Sequence, residues 1–165
     1  MNIFPTPLIT KPNTLKLQAF ALTAIGQKCA VNEDCVFQFS DYLKDGENVG
    51  LYIVCDGMGG HEAGDVASQL VVRTIVSDLG HLLVYEDDIA RIISPFSSAF
   101  ITNWLHSAIE KANKAIYDWA AKENIRKMGT TVTALFIYCQ KAYIAHLGDS
   151  RAYYWQAGVS PAFVR

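Results

Sequence analysis

One stretch sets the terms for the whole chain: Leu51-Tyr52-Ile53-Val54-Cys55-Asp56-Gly57-Met58-Gly59-Gly60-His61, followed by Gly64, Ala67 and Ser68. Leu51–Cys55 has the length and β-branched content of a buried strand. That strand ends in an acid. A carboxylate placed there must face water or a cation, because a desolvated, unpartnered charge is costly. Gly57, Gly59 and Gly60 let the backbone turn sharply and approach whatever Asp56 faces. A helical pattern follows from about Gly64 to Leu79. Ala63, Val66, Ala67, Leu70, Val71, Thr74 and Ile75 recur at spacings of three and four, and Gly80 reads as the stop.

The flanking sequence supplies the partners this strand needs. Residues 1–14 hold three of the five prolines and read as an extended lead-in. Residues 15–165 then read as one domain by size. Leu15–Ile25 reads as a strand closed by Gly26, and Cys35–Ser40 as a second. Asp41–Gly50, with Asp45-Gly46, reads as a hairpin-type connection into Leu51. His81–Ser94 is open between strand and helix. Pro95 begins a second helix running to about Lys122, with Phe100, Trp104, Ala108, Ala112, Ala115 and Trp119 on one face. Met128-Gly129-Thr130-Thr131 breaks the pattern. Val132–Cys139, Ala142–Leu147 and Arg151–Trp155 read as strands, and Gln156–Arg165 as loop. Strands, then two helices, then strands do not alternate as βαβ units. The expected class is α+β with antiparallel sheet.

The acids suggest what the site holds. Glu33 and Asp34 fall between the first two strands, and Asp56 ends the third. If those strands are neighbours, the acids converge at one sheet end, where carboxylates repel unless a cation neutralises them. Oxygen donors select Mg²⁺ or Mn²⁺. Alone, Glu33-Asp34 reads as a solvated turn; beside Asp56-Gly57, the metal reading is preferred. Asp149, in a tight turn between apolar strands, reads alone as turn chemistry, with Arg151 as a partner. His61 reads as a helix-start residue, and His81, His106 and His146 as packing or surface residues. A dinucleotide fold is disfavoured, because Glu62 stands where its fingerprint requires glycine and Asp56 would repel a pyrophosphate.

Composition narrows the classes. A net charge of −2 leaves no basic footprint for nucleic acid. No apolar stretch reaches membrane-spanning length, and Met1-Asn2-Ile3-Phe4-Pro5 does not open like a signal peptide. Cys29, Cys35, Cys55 and Cys139 form no Cys-x-x-Cys pair, so zinc is not expected. A reducing, cytoplasmic setting fits them best.

At these residues the chain resembles the metal-dependent serine/threonine protein phosphatases of the 2C type. Four blocks carry the resemblance: Asn32-Glu33-Asp34; Asp56-Gly57-Met58-Gly59-Gly60-His61 with Gly64 and Ala67-Ser68; Met128-Gly129-Thr130-Thr131; and Gly148-Asp149-Ser150-Arg151. The Met58 form is similar to the bacterial branch. The resemblance spans about Leu17 to Trp155 and implies an antiparallel β-sandwich flanked by helices, with two or three Mn²⁺ or Mg²⁺ ions at one sheet end. It implies that Asp56 bridges two metals and the Gly57 carbonyl binds one. Glu33 and Asp34 would hold the second metal or its waters, and Asp149 a third, weaker metal. The implied reaction is hydrolysis of phosphoserine or phosphothreonine in a protein by a metal-activated water, a signalling role.

Two departures follow from the same comparison. Where the family places a phosphate-clamping arginine stands Cys29, with only Lys28 beside it, and lysine cannot make the bidentate fork. The family's downstream strands, helix pair and further metal-binding aspartates have no counterpart before Arg165. The expectation is a phosphatase domain in part, weakly active or inactive alone. The alternative is a catalytically inactive, phosphatase-like remnant acting as a binding or regulatory module. Unpartnered strands should also promote self-association.

Overall fold

The computed structural model describes residues 16–27, 30–58, 63–86, 89–92, 95–157 and 159–164. The proposed lead-in at 1–14, Lys28, Cys29 and His61 lie outside them. β1 (Asp34–Tyr42) and β2 (Asn48–Met58) pair antiparallel, from Asp34 opposite Asp56 to Tyr42 opposite Asn48. Their connection contains the expected Asp45-Gly46 turn: Gly46 takes a positive φ of 85°, and its N–H donates to the Leu43 carbonyl at 2.8 Å. Along β2, Val49, Leu51, Ile53 and Cys55 are buried, whereas Val54 and Met58 on the other face are exposed.

α1 (Gly64–Gly80) follows, then a hairpin of β3 (Leu83–Glu86) and β4 (Ile89–Ile92), then α2 (Ser98–Lys122). The chain returns as β5 (Gly129–Thr130), β6 (Val132–Tyr138) and β7 (Lys141–Leu147). It ends in a hairpin of β8 (Ala152–Gln156) and β9 (Val159–Val164). The main sheet runs β1-β2-β6-β7, with β5 beside the end of β2, and every pairing is antiparallel. The expected α+β class is therefore what the chain forms. α1 and α2 pack on each other, and the buried face of β2 lies against α1. Phe136, Leu51, Ile53, Ile75 and Ile101 form the centre of the core, and Trp104 meets Phe136 edge-on at 5.1 Å.

Four expectations need correction. Residues 16–26 form no strand, and Phe20, Leu22 and Ile25 are exposed. Apolar content alone does not make a strand, and no described strand pairs with this segment. Gln156–Arg165 is not loop, since Val159–Val164 pairs with β8. Pro161, which cannot donate to a ladder, is tolerated at a register irregularity opposite Tyr154–Gln156. α2 starts at Ser98 rather than Pro95, because Ser97 Oγ accepts the Phe100 N–H and caps the first turn. Its buried stripe is Ile101, Trp104, Leu105, Ala108, Ala112 and Ile116, while Phe100 stacks outside on Phe96.

Candidate metal centre

The site stands where β1 begins and β2 ends. Antiparallel register places Asp34 directly opposite Asp56. One step outward, the Gly57 N–H donates to the Glu33 carbonyl at 3.2 Å. Gly57 is required there. A Cβ on it would lie 2.2 Å from the Gly64 carbonyl oxygen and 2.5 Å from that of Glu33, so β1, β2 and the start of α1 converge on this residue. Gly64 is likewise crowded, since a Cβ there would come within 2.8 Å of the Glu33 carboxyl group. Glu33 thus faces the positive end of α1, whose N-terminus has no side-chain cap.

Two threonines hold Asp56 from the other side. The Asp56 N–H donates to Thr131 Oγ1 at 3.0 Å, the Thr131 N–H donates to the Asp56 carbonyl at 2.9 Å, and Thr130 Oγ1 donates to the same carbonyl at 2.9 Å. Thr131 Oγ1 also shares a 2.8 Å hydrogen bond with Ser150 Oγ. Gly148, at φ 114°, packs against Thr131, where a Cβ would lie 2.6 Å from the threonine methyl. His146 braces this turn. Its Nε2–H donates to the Gly148 carbonyl at 3.1 Å, which leaves Nδ1 to accept from Thr133 Oγ1 at 2.9 Å.

The charges around Asp56 are of one sign. Partial desolvation first, then the charges of Asp34 and Asp149, a hydrogen bond with Asp34 and the charge of Glu33 all raise its carboxyl above the ordinary value. Like charges this close repel, and a cation between them would relieve that repulsion. The donors are all oxygens, which suits Mg²⁺ or Mn²⁺. Among the described residues no three acidic, imidazole or thiol side chains form a ready cage, so the Asp34–Asp56 pair would be completed by the Gly57 carbonyl and water. Burial pushes the Cys55 thiol up to about 12, and it stays a packing residue.

The structure therefore brings Glu33, Asp34, Asp56 and Gly57 together. Asp149 lies near enough for its charge to act on Asp56. Arg151 does not serve Asp149 first, since its leading partner is the Tyr153 hydroxyl. From sequence, Thr131 and Ser150 stand only as members of the Met128–Thr131 and Gly148–Arg151 blocks, without a role, and His146 only as a packing or surface residue. The Gly-Thr-Thr break ahead of an apolar strand was the available signal for Thr131. A cavity of about 470 Å³ opens beside the strand end, lined by Met58, Tyr117, Arg126, Met128, Gly129 and Thr130 among others.

A sequence profile of protein phosphatase 2C matches residues 27–163. A putative protein phosphatase 2C-type from Streptococcus pyogenes is 40% identical over 129 residues, 78% of this chain and 46% of that protein. The Streptococcus agalactiae serine/threonine phosphatase superposes with a TM-score of 0.68 at 34% identity, covering 87% of this chain and 53% of that one. The catalytic domain of the serine/threonine protein phosphatase PstP, solved with two manganese ions, superposes with a TM-score of 0.62 at 33% identity over 85% of this chain and 51% of that one. The chain spans about half the length of the curated relatives it matches.

Proposed function

The chain belongs to the protein phosphatase 2C family, and we propose that it carries the metal-binding part of a serine/threonine phosphatase acting on phosphoserine or phosphothreonine in proteins. The observation that carries this reading is the Asp34–Asp56 pair, set face to face at a strand end with glycine backbone beside it. Asp56, Asp34 and the Gly57 carbonyl would hold Mn²⁺ or Mg²⁺, with Glu33 acting directly or through water and Asp149 at a separate, weaker position. A bound ion of this kind lowers the pKa of its water and neutralises phosphoryl charge.

The chain's own residues do the rest. Asp34 and Asp56 concentrate negative charge at one point. Gly57 allows its carbonyl to approach what they hold. Arg126, in the cavity beside the strand end, offers a positive charge to the segment flanking a phosphorylated residue. Lys28 would add a weak, single-point contact to the phosphate. Alone, the chain should turn over slowly, because a pair of acids holds an ion less rigidly than a full ligand set. No helix is long and apolar enough to cross a membrane among the described residues; we place the chain in the cytoplasm, in a signalling role.

The test is Mn²⁺ titration by calorimetry together with p-nitrophenyl phosphate hydrolysis, on the chain and on Asp56→Asn. Metal uptake and slow turnover that both vanish in Asp56→Asn support the reading; equal heats for the two proteins refute it. A second reading, a phosphatase-like binding module, is favoured by the absence of a three-acid cage among the described residues. It would show phosphopeptide binding without turnover at any metal concentration.

A further inference from the structure

We infer that the Thr131 hydroxyl is a positioning group for the metal centre: it fixes the backbone that carries the Asp56 carboxylate and ties it to the turn that carries Asp149. The inference rests on the metal-site reading of Asp56.

The sheet register shows the unusual role of this side chain. Val54 pairs with Thr133 and Gly57 with Thr130, so Asp56 stands opposite Thr131 in one continuous antiparallel register. In an uninterrupted ladder the Asp56 N–H would donate to the Thr131 carbonyl. Here it donates to the Thr131 hydroxyl at 3.0 Å, while the Thr131 carbonyl lies 2.9 Å from Thr130 Oγ1, whose one proton it shares with the Asp56 carbonyl. The hydroxyl thus takes the place of a main-chain carbonyl, and this substitution accounts for the one-residue gap between β5 and β6. Because that hydroxyl also bonds Ser150 Oγ at 2.8 Å, one oxygen links Asp56 to the Gly148-Asp149-Ser150 turn.

Its direction is set by packing. Thr131 is 2% exposed, its methyl faces Gly148, and a β-branched side chain has few χ1 choices. Valine would fill the same volume and leave the Asp56 N–H without its acceptor. Serine would keep the acceptor and lose only the methyl. Partners that orient a metal ligand from behind typically account for ~10–100-fold in metal affinity.

The experiment is Mn²⁺ calorimetry on the full chain, with thermal melting of the metal-free proteins alongside. Thr131→Val should weaken Mn²⁺ binding ~10–100-fold, and Thr131→Ser should restore most of the loss. Ser150→Ala should weaken binding less while melting with the wild type. The Thr131→Val, Ser150→Ala double variant should bind no more weakly than Thr131→Val, because both changes act through one oxygen. Wild-type affinity in Thr131→Val, or no rescue by a folded Thr131→Ser, overturns the inference. If Thr131→Val does not fold, Ser150→Ala decides: wild-type affinity there overturns it equally. If the wild type takes up no Mn²⁺, or Asp56→Asn binds as tightly as wild type, the metal-site reading itself has failed and this inference falls with it.

Discussion

Gly57→Ala probes the point where β1, β2 and α1 meet. The added Cβ would stand 2.2 Å from the Gly64 carbonyl oxygen and 2.5 Å from the Glu33 carbonyl oxygen, where ordinary contact begins at 3.4 Å. Both obstacles are backbone, so no rotamer change relieves them. Each must retreat by roughly 1 Å, the difference between those distances and ordinary contact. Forcing such space into a packed region costs about 1–3 kcal/mol. Stretching the 3.2 Å Gly57–Glu33 hydrogen bond costs about 1 kcal/mol more. Alanine stiffens the unfolded chain and returns ~0.4–1 kcal/mol. The net expectation is a loss of about 1–3.5 kcal/mol, or roughly 2–14 °C in melting temperature at this chain length. Urea unfolding of the metal-free protein, followed by circular dichroism, measures it. Gly80→Ala is the control: nothing lies within 4 Å of its Cβ, so it should be neutral or stabilising by up to ~1 kcal/mol. A Gly57→Ala protein within ~0.5 kcal/mol of wild type, the scale of an ordinary surface substitution, would refute the packing argument.

Three further outcomes are expected. The Asp56 carboxyl titrates above its ordinary 3.8 in the fold, so the folded state holds that proton more tightly than the unfolded chain; the stability this gives is complete below the ordinary value and is lost as pH rises through the raised one. Metal-free Asp56→Asn should therefore gain on wild type in urea midpoint as pH rises from acidic to neutral, and a gap that stays constant or narrows would contradict this. With its thiol pushed up to about 12 and buried, Cys55 should resist iodoacetamide in the native protein at mildly alkaline pH and react only on unfolding; native labelling, read by peptide mass, would count against its burial. Val54 at 49% and Trp155 at 68% exposure are uncovered apolar side chains on β2 and β8, so sedimentation at micromolar concentration should show self-association, and a clean monomer would refute it.

What the sequence disclosed was what short-range physics governs. β2, α1 and the Asp45-Gly46 turn were legible because periodicity, glycine and turn chemistry act over a few residues. The meeting of Asp34 with Asp56 was legible as a consequence of pairing two adjacent strands. Leu15–Ile25 misled because apolar content measures the wish for a partner and not its presence. Val159–Val164 was hidden by Pro161 and Gly158, which ordinarily mark loops. The face of α2 was read one residue off at Phe100, since Phe100 and Ile101 are both apolar and only tertiary packing puts Ile101 in the core and Phe100 on Phe96. The bond between Asp56 and Thr131 was illegible because it joins residues 75 apart and depends on a register that only the sheet establishes.

That separation orders events in time. The acid pair arises within the β1–β2 hairpin, a local contact that forms in microseconds. The threonine that holds it stands between β5 and β6, synthesised only after both helices, and each doubling of the loop to be closed costs ~0.6 kcal/mol. A growing chain should thus present the two aspartates early and loosely, and gain a defined ion position only once β6 has docked beside β2. Contacts this distant in sequence slow folding, so metal present during refolding should mark the docking of β6 as a late step, well after the hairpin has formed.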